Sequence, residues 1–142
     1  MTQTVPTLNL LNLPAQWLTN QQVDEDKLKA GLATGALSED TLLLWCHQAL
    51  MLDLRARLPD EEPTPFGPKE THLDHLNWML TTAAETDMAP DKAARWLAYV
   101  QGVATVKGWI DVSEERNRTR PLLHLTTLLK GQATPKTIGR DT

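Results

Sequence analysis

The residue types able to do chemistry fall into a few short groups. His72 and His75 flank Asp74, with Glu70 nearby. A zinc shell wants two such ligands on one face plus a third and fourth, and nothing else near this pair supplies them. No metal site is expected. Cys46 is the only cysteine, so neither an intrachain disulfide nor a cysteine-rich zinc site can form. His47 follows it, but neighbouring helical residues point about 100° apart, so the two make no nucleophile pair. Cys46 reads as a core residue. Glu61-Glu62 and Glu114-Glu115 are paired carboxylates of the kind all-helical nucleotide pyrophosphatases use for magnesium. Those enzymes need a second acidic cluster on a following helix, and beyond Glu115 the one acid is Asp141. There is no Gly-rich phosphate loop and no Gly-x-Ser-x-Gly turn. No catalytic residue and no cofactor are expected. What remains is Arg116-Asn117-Arg118-Thr119-Arg120, with Lys107 and Trp109 upstream and His124 downstream. Arginine forks match phosphate oxygens and tryptophan faces stack on bases. The opposing reading pairs these arginines internally with Asp111, Glu114 and Glu115.

Helices must position such residues. Leu is abundant, and no run alternates apolar with polar residues, which favours helix over strand. A chain of 142 residues with 41% hydrophobic and 23% charged side chains fits one globular domain. The net charge of −4 argues against long nucleic acids as partners. It hides an asymmetry: residues 1–91 carry net −9 and residues 92–142 net +5. The basic part offers a local place for an anion on an acidic protein. Near absence of cysteine points to a reducing compartment. Residues 1–22 lack the basic start and apolar run of a secretory signal. The stretch Leu42–Leu54 is too short and too polar to span a bilayer, so no membrane partner is expected.

The expected fold is mainly α, a compact domain of about five helices spanning 23–130. An apolar arm, 1–22, precedes it, and a mobile tail, 131–142, follows. The arm carries Leu8, Leu10, Leu11, Leu13, Trp17 and Leu18 and should dock on the domain or on a neighbouring subunit. Asp24 and Gly35 bracket a first helix. Ser38 caps a second, 39–57, stopped by Pro59. Its apolar residues occupy too many faces for a surface helix, so it is central or pressed on another subunit. Pro59–Pro68 is a stiff connection whose Phe66 is expected to pin it to the body. A third helix is expected over 69–86 and a fourth over 91–107, ended by Gly108. Asp111 or Ser113 should cap a short helix through Arg118, limited by Pro121. A last amphipathic stretch runs 122–130.

The segment Asp91-Lys92-Ala93-Ala94-Arg95-Trp96-Leu97-Ala98-Tyr99-Val100-Gln101-Gly102 resembles a pattern of small tailed-phage and prophage proteins. That pattern sets Arg-Trp before an apolar residue, then Gly, an aromatic, an apolar residue, Gln and Gly. It continues here through Gly108-Trp109-Ile110, Glu114-Glu115-Arg116 and Thr119-Arg120-Pro121, and His72-Leu73 through Trp78-Met79 also fits. Ala98 stands where the pattern has Gly, which would crowd a close helix contact or ligand. The chain is similar in this part to the first type of Thoeris anti-defence protein. Such proteins sequester cyclic ADP-ribose-type signals without cleaving them and assemble from dimers. The resemblance implies a phage accessory protein of the host cytoplasm that binds a small phosphate-bearing nucleotide, is not an enzyme and forms a homo-oligomer, a dimer or a multiple. The candidate ligand-binding residues are Trp96, Gln101 and Trp109 for the base, with Arg116 and Arg120 for phosphates. The other reading is a protein–protein adaptor or inhibitor that meets a host or phage protein through the arm and helix 39–57.

Overall fold

The computed structural model describes Leu8 and residues 10–132. Six α-helices lie among them: α1 (Glu25–Thr34), α2 (Glu39–Arg57), α3 (Leu73–Glu85), α4 (Pro90–Val106), α5 (Val112–Leu123) and α6 (Leu125–Leu129). One small antiparallel hairpin, β1 (Leu18–Thr19) with β2 (Gln22–Val23), precedes them. The protein is mainly α, as its composition requires. Among the described residues no helix is long and apolar enough to cross a membrane.

Local chemistry sets most boundaries. The Asp24 carboxylate accepts from the Lys27 N–H and opens α1, which Gly35 closes in the left-handed conformation at φ 82°. The Ser38 hydroxyl accepts from the Thr41 N–H and opens α2, and Glu39 and Asp40 follow in its first turn, where acids favour the helix dipole.

α2 is the centre of the molecule and packs against α3, α4, α5 and α6. That explains its broad apolar surface: Leu42, Leu44, Cys46, Ala49, Leu50, Met51 and Leu54 are all buried within one chain. The breadth of its apolar surface therefore no longer argues for a second subunit. The expected arm joins the same core. Leu8, Leu11, Leu13 and Trp17 are buried, and the Trp17 ring lies over Gly31 of α1. Residues 1–7 and 9 of that arm lie outside the described residues, as does the expected tail apart from Gly131 and Gln132.

Two boundaries and one side chain differ from expectation. Residues 69–71 form a separate 3-10 turn, and α3 begins only at Leu73. Its first N–H donates to Glu62 Oε1 at 3.0 Å, so a loop carboxylate supplies the start that the local sequence lacks. The short helix expected to stop near Arg118 instead runs to Leu123 with Pro121 inside it. A proline costs an internal hydrogen bond, but its fixed φ suits a helix, and the buried Leu122 beyond it keeps the turn in place. Phe66 does not pin its loop by burial, being 59% exposed.

Candidate functional site at the α4–α5 face

Gly108, at φ 78°, lets the chain leave α4 and turn back. Asp111 then opens α5, its carboxylate accepting from the Glu114 N–H at 2.9 Å. Asp111, rather than Ser113, is thus the cap. The next residue in line, Glu115, is buried and ties three helices together. Its Oε2 accepts from the Gln101 amide of α4 at 2.8 Å. Its Oε1 accepts from Arg57 of α2 at 2.5 Å and from Arg118 of α5 at 2.8 Å. Asp53 of α2 pairs with both guanidiniums. Burial works to raise the Glu115 carboxyl, but the bonds from Arg118, Gln101 and Arg57 together hold it below its ordinary value.

Beside this knot runs a groove of about 240 Å³. Gln101, Gly102 and Thr105 of α4 form one wall and Val112, Glu115, Arg116 and Thr119 of α5 the other. Both Glu115 oxygens are already bonded, so the carboxylate does not present a free charge to the groove. Arg116 is exposed at its edge and has no carboxylate partner among the described residues.

A second, apolar groove of about 540 Å³ lies on the other side of Gly102. Phe66, Pro68 and Thr71 wall it from the loop, and Tyr99, Val103, Val106 and Lys107 from α4. The loop is held there by charge. Lys107 Nζ donates to Glu62 Oε2 at 2.6 Å and to the Phe66 carbonyl at 3.2 Å, and stands 4.1 Å from the Phe66 ring centre. This ion pair is nearly dry, with side-chain exposures of 3% and 9%. The Lys107 hydrogen bond holds the Glu62 carboxyl below its ordinary value. The Tyr99 hydroxyl donates to the Glu70 carbonyl at 2.9 Å and fixes that ring at the groove's edge.

The five candidate binding residues do not converge. Gln101 and Arg116 share the first groove. Arg120 is half-buried and lines neither groove. Trp96 faces α3, its ring centre 5.8 Å from that of Trp78 and tilted 39° to it, with Lys92 5.4 Å from its ring centre. Trp109 is partly buried against the core. Helix geometry explains the split: Trp96 and Gln101 are five positions apart, hence about 140° apart around α4. Ala98 is exposed, so it crowds no helix contact among the described residues.

Sequence reasoning set Lys107 beside the arginine cluster, Glu115 among its internal partners and Phe66 as a pin for its loop, but gave Thr119, Phe66 and Tyr99 no part in a binding face. The spacing 112, 116, 119 on α5 and 99, 103, 106 on α4 marks two helical stripes and could have found them. Elsewhere, Cys46 is buried, which pushes its thiol up to about 12 and leaves it a core residue. His72 Nε2 lies 3.0 Å from the Gly67 carbonyl, a loop contact. Among the described residues no group of three His, Cys, Asp or Glu side chains could hold a metal ion. Comparison with protein-family models, with curated proteins and with solved structures gives no match for this chain.

Proposed function

We propose that this chain is a phage or prophage accessory protein of the host cytoplasm that counters a host defence by sequestering a small phosphate-bearing nucleotide, with no chemistry of its own. The observation that carries the reading is the pair of grooves meeting at Gly102. One is edged by an arginine without a carboxylate partner among the described residues, and the other is walled by Phe66 and Tyr99. A nucleotide has the matching halves, an anionic end and a flat base. A guanidinium serves the first and aromatic rings the second. A sequestering protein needs only affinity, and binding at equilibrium requires no nucleophile or general base. The resemblance of residues 91–121 to phage proteins points the same way. Denaturing the purified protein and analysing the supernatant by mass spectrometry tests the reading. A stoichiometric released nucleotide supports it. A supernatant without nucleotide, from protein expressed in cells that make such signals, overturns it.

A second reading has its own observation. Phe66, Tyr99, Val106 and Val112 are large apolar residues 40–78% exposed on this one face. Such patches mark protein contacts. In that reading the chain is an adaptor or inhibitor, and its partner is a host or phage protein or, in a homo-oligomer, a second copy. The surface is then α4 with the loop at Phe66, in place of the arm and α2, whose apolar residues are largely spent on the core. A pull-down that returns one stoichiometric protein, with no nucleotide released, supports it.

A further inference from the structure

Resting on the protein-contact reading, we propose that α5 presents Arg116 and Arg120 as a paired anchor for a helix of a different protein chain, one that sets two carboxylates a helical turn apart between apolar residues.

The two arginines stand out by what they lack. Six arginines lie among the described residues, and four of them meet a side chain. Arg55 donates to the Thr81 hydroxyl, Arg95 pairs with Asp91, and Arg57 and Arg118 share Asp53 and Glu115. Arg116 and Arg120 meet none among the described residues. Acid is not scarce, since the chain carries 18 Asp and Glu against 14 Lys and Arg. It is missing from their side of the helix. Besides each other, the positions three and four away from either are Val112, Ser113, Asn117, Thr119, Leu123 and His124, and none is acidic. Two guanidiniums one turn apart repel, so carboxylates set at the same spacing relieve the ridge.

The shape of the ridge selects the occupant. Small ligands sit in concave sites. Arg116 edges the α4–α5 groove but Arg120 lines neither groove, so a small ligand seated beside the first leaves the second unmet. The ridge is also apolar at both ends. Val112, 51% exposed, precedes Arg116 by one turn, and the half-buried Leu123 follows Arg120 by three positions. At about 100° and 1.5 Å per residue these four lie within roughly 80° of one another around α5, over about 16 Å. Apolar, basic, basic, apolar is the complement of an amphipathic helix that reads apolar, acidic, acidic, apolar. A nucleic-acid backbone offers phosphates but nothing for Val112 and Leu123, and the net charge of −4 opposes it. An extended chain finds no backbone partner here, because the N–H and C=O groups along α5 bond within the helix.

A second copy does not supply the acidic helix. No described helix carries two acids three or four positions apart: α1 has them at 25 and 26, α2 at 39, 40 and 53, α3 at 74 and 85, α4 at 91 and α5 at 114 and 115. The partner is therefore another chain.

The test uses the full chain and three designed helical peptides that differ only at two positions four apart, both glutamate, both glutamine or both lysine, each pair set between leucines. In calorimetry the glutamate peptide should bind at least about tenfold more tightly than the glutamine peptide, with the lead shrinking as salt rises, and the lysine peptide should not bind. Reversing both charges, Arg116→Glu with Arg120→Glu, should turn the order round in favour of lysine. The neutral pair Arg116→Gln with Arg120→Gln should level the three peptides while melting no lower than the wild type, because it removes a repulsion and no bond. Equal binding of the three peptides by the wild type, binding of none, or a reversed variant that keeps the wild-type order overturns the anchor. A stoichiometric protein partner pulled down equally by the wild type and the reversed variant overturns it too, and leaves the protein-contact reading standing. Absence of any stoichiometric partner, with nucleotide released on denaturation, overturns both.

Discussion

Arg118 donates to Glu115 Oε1 at 2.8 Å, three positions along α5, while Arg116 next to Glu115 in sequence faces the groove. The two arginines have opposite tasks. One is a structural partner of a buried carboxylate, and the other is available to a ligand. Arg118, which is not among the candidate phosphate ligands, is tied into the fold through Glu115 and Asp53.

Substitution should separate them. Glu115→Ala leaves two partly buried guanidiniums facing only Asp53, and breaking a buried pair by removing one member costs about 3–5 kcal/mol. Arg118 is about a quarter exposed, so solvent screening reduces its share, and Arg118→Ala should cost less than Glu115→Ala. Arg116→Ala should leave stability within about 0.5 kcal/mol, as for exposed positions generally. Urea denaturation of the three variants checks the order. Equal midpoints for Arg116→Ala and Arg118→Ala would refute the division of labour.

Gly31→Ala should destabilise, against the helical norm. Alanine in an exposed helix gains about 1 kcal/mol over glycine. Here a Cβ would stand 2.5 Å from Cζ3 of the buried Trp17 ring. Overpacking of this kind costs about 1–3 kcal/mol. Gly102→Ala, with open space around it, provides the opposite sign in the same protein. Thermal melts of the pair give the comparison, and a rise in melting temperature for Gly31→Ala would show that Trp17 does not lie there.

Stability should fall on acidification in two steps. Burial holds the His47 ring below its ordinary value of 6.5, against the pull of its bond to the Leu43 carbonyl. The unfolded chain then takes up that proton first, so stability declines as pH drops below about 6.5. Glu115 and Glu62 titrate below their ordinary 4.5, so their contribution is present above that pH and is lost as pH falls further. His47→Leu should remove the upper step alone. A denaturation series from pH 8 to 3 reads both, and a flat profile between pH 7 and 5 in the wild type would exclude the His47 step.

Trp96→Ala should cost more than Trp78→Ala. Trp78 is 55% exposed, whereas Trp96 is partly buried against the core. Fully buried tryptophans cost about 3–5 kcal/mol on truncation, so Trp96 should cost about 2 kcal/mol and Trp78 under about 1. The tilted ring contact at 5.8 Å couples them, and a double-mutant cycle should return an interaction of roughly 0.5–1.5 kcal/mol. Additivity would mean that the rings do not touch in solution.

The amino-acid sequence by itself determined where most helices start and stop. Asp24, Ser38, Gly35 and Gly108 act through bonds and dihedral angles within a few residues, so their effect is readable in place. Helical periodicity likewise marked the core stripe of α4, Ala93, Leu97, Val100 and Ala104, all buried. Tertiary structure alone decided what depends on distant partners. Glu62 starts α3 from eleven positions away, and Lys107 reaches back 45 positions to hold it. Pro121 stays within α5, against its local preference, while Leu122 beside it is buried in the core. Arg116 and Arg118 look alike in sequence. They part because Glu115 and Asp53 meet one of them and not the other, 53 and 115 being brought together only by the packing of α2 on α5.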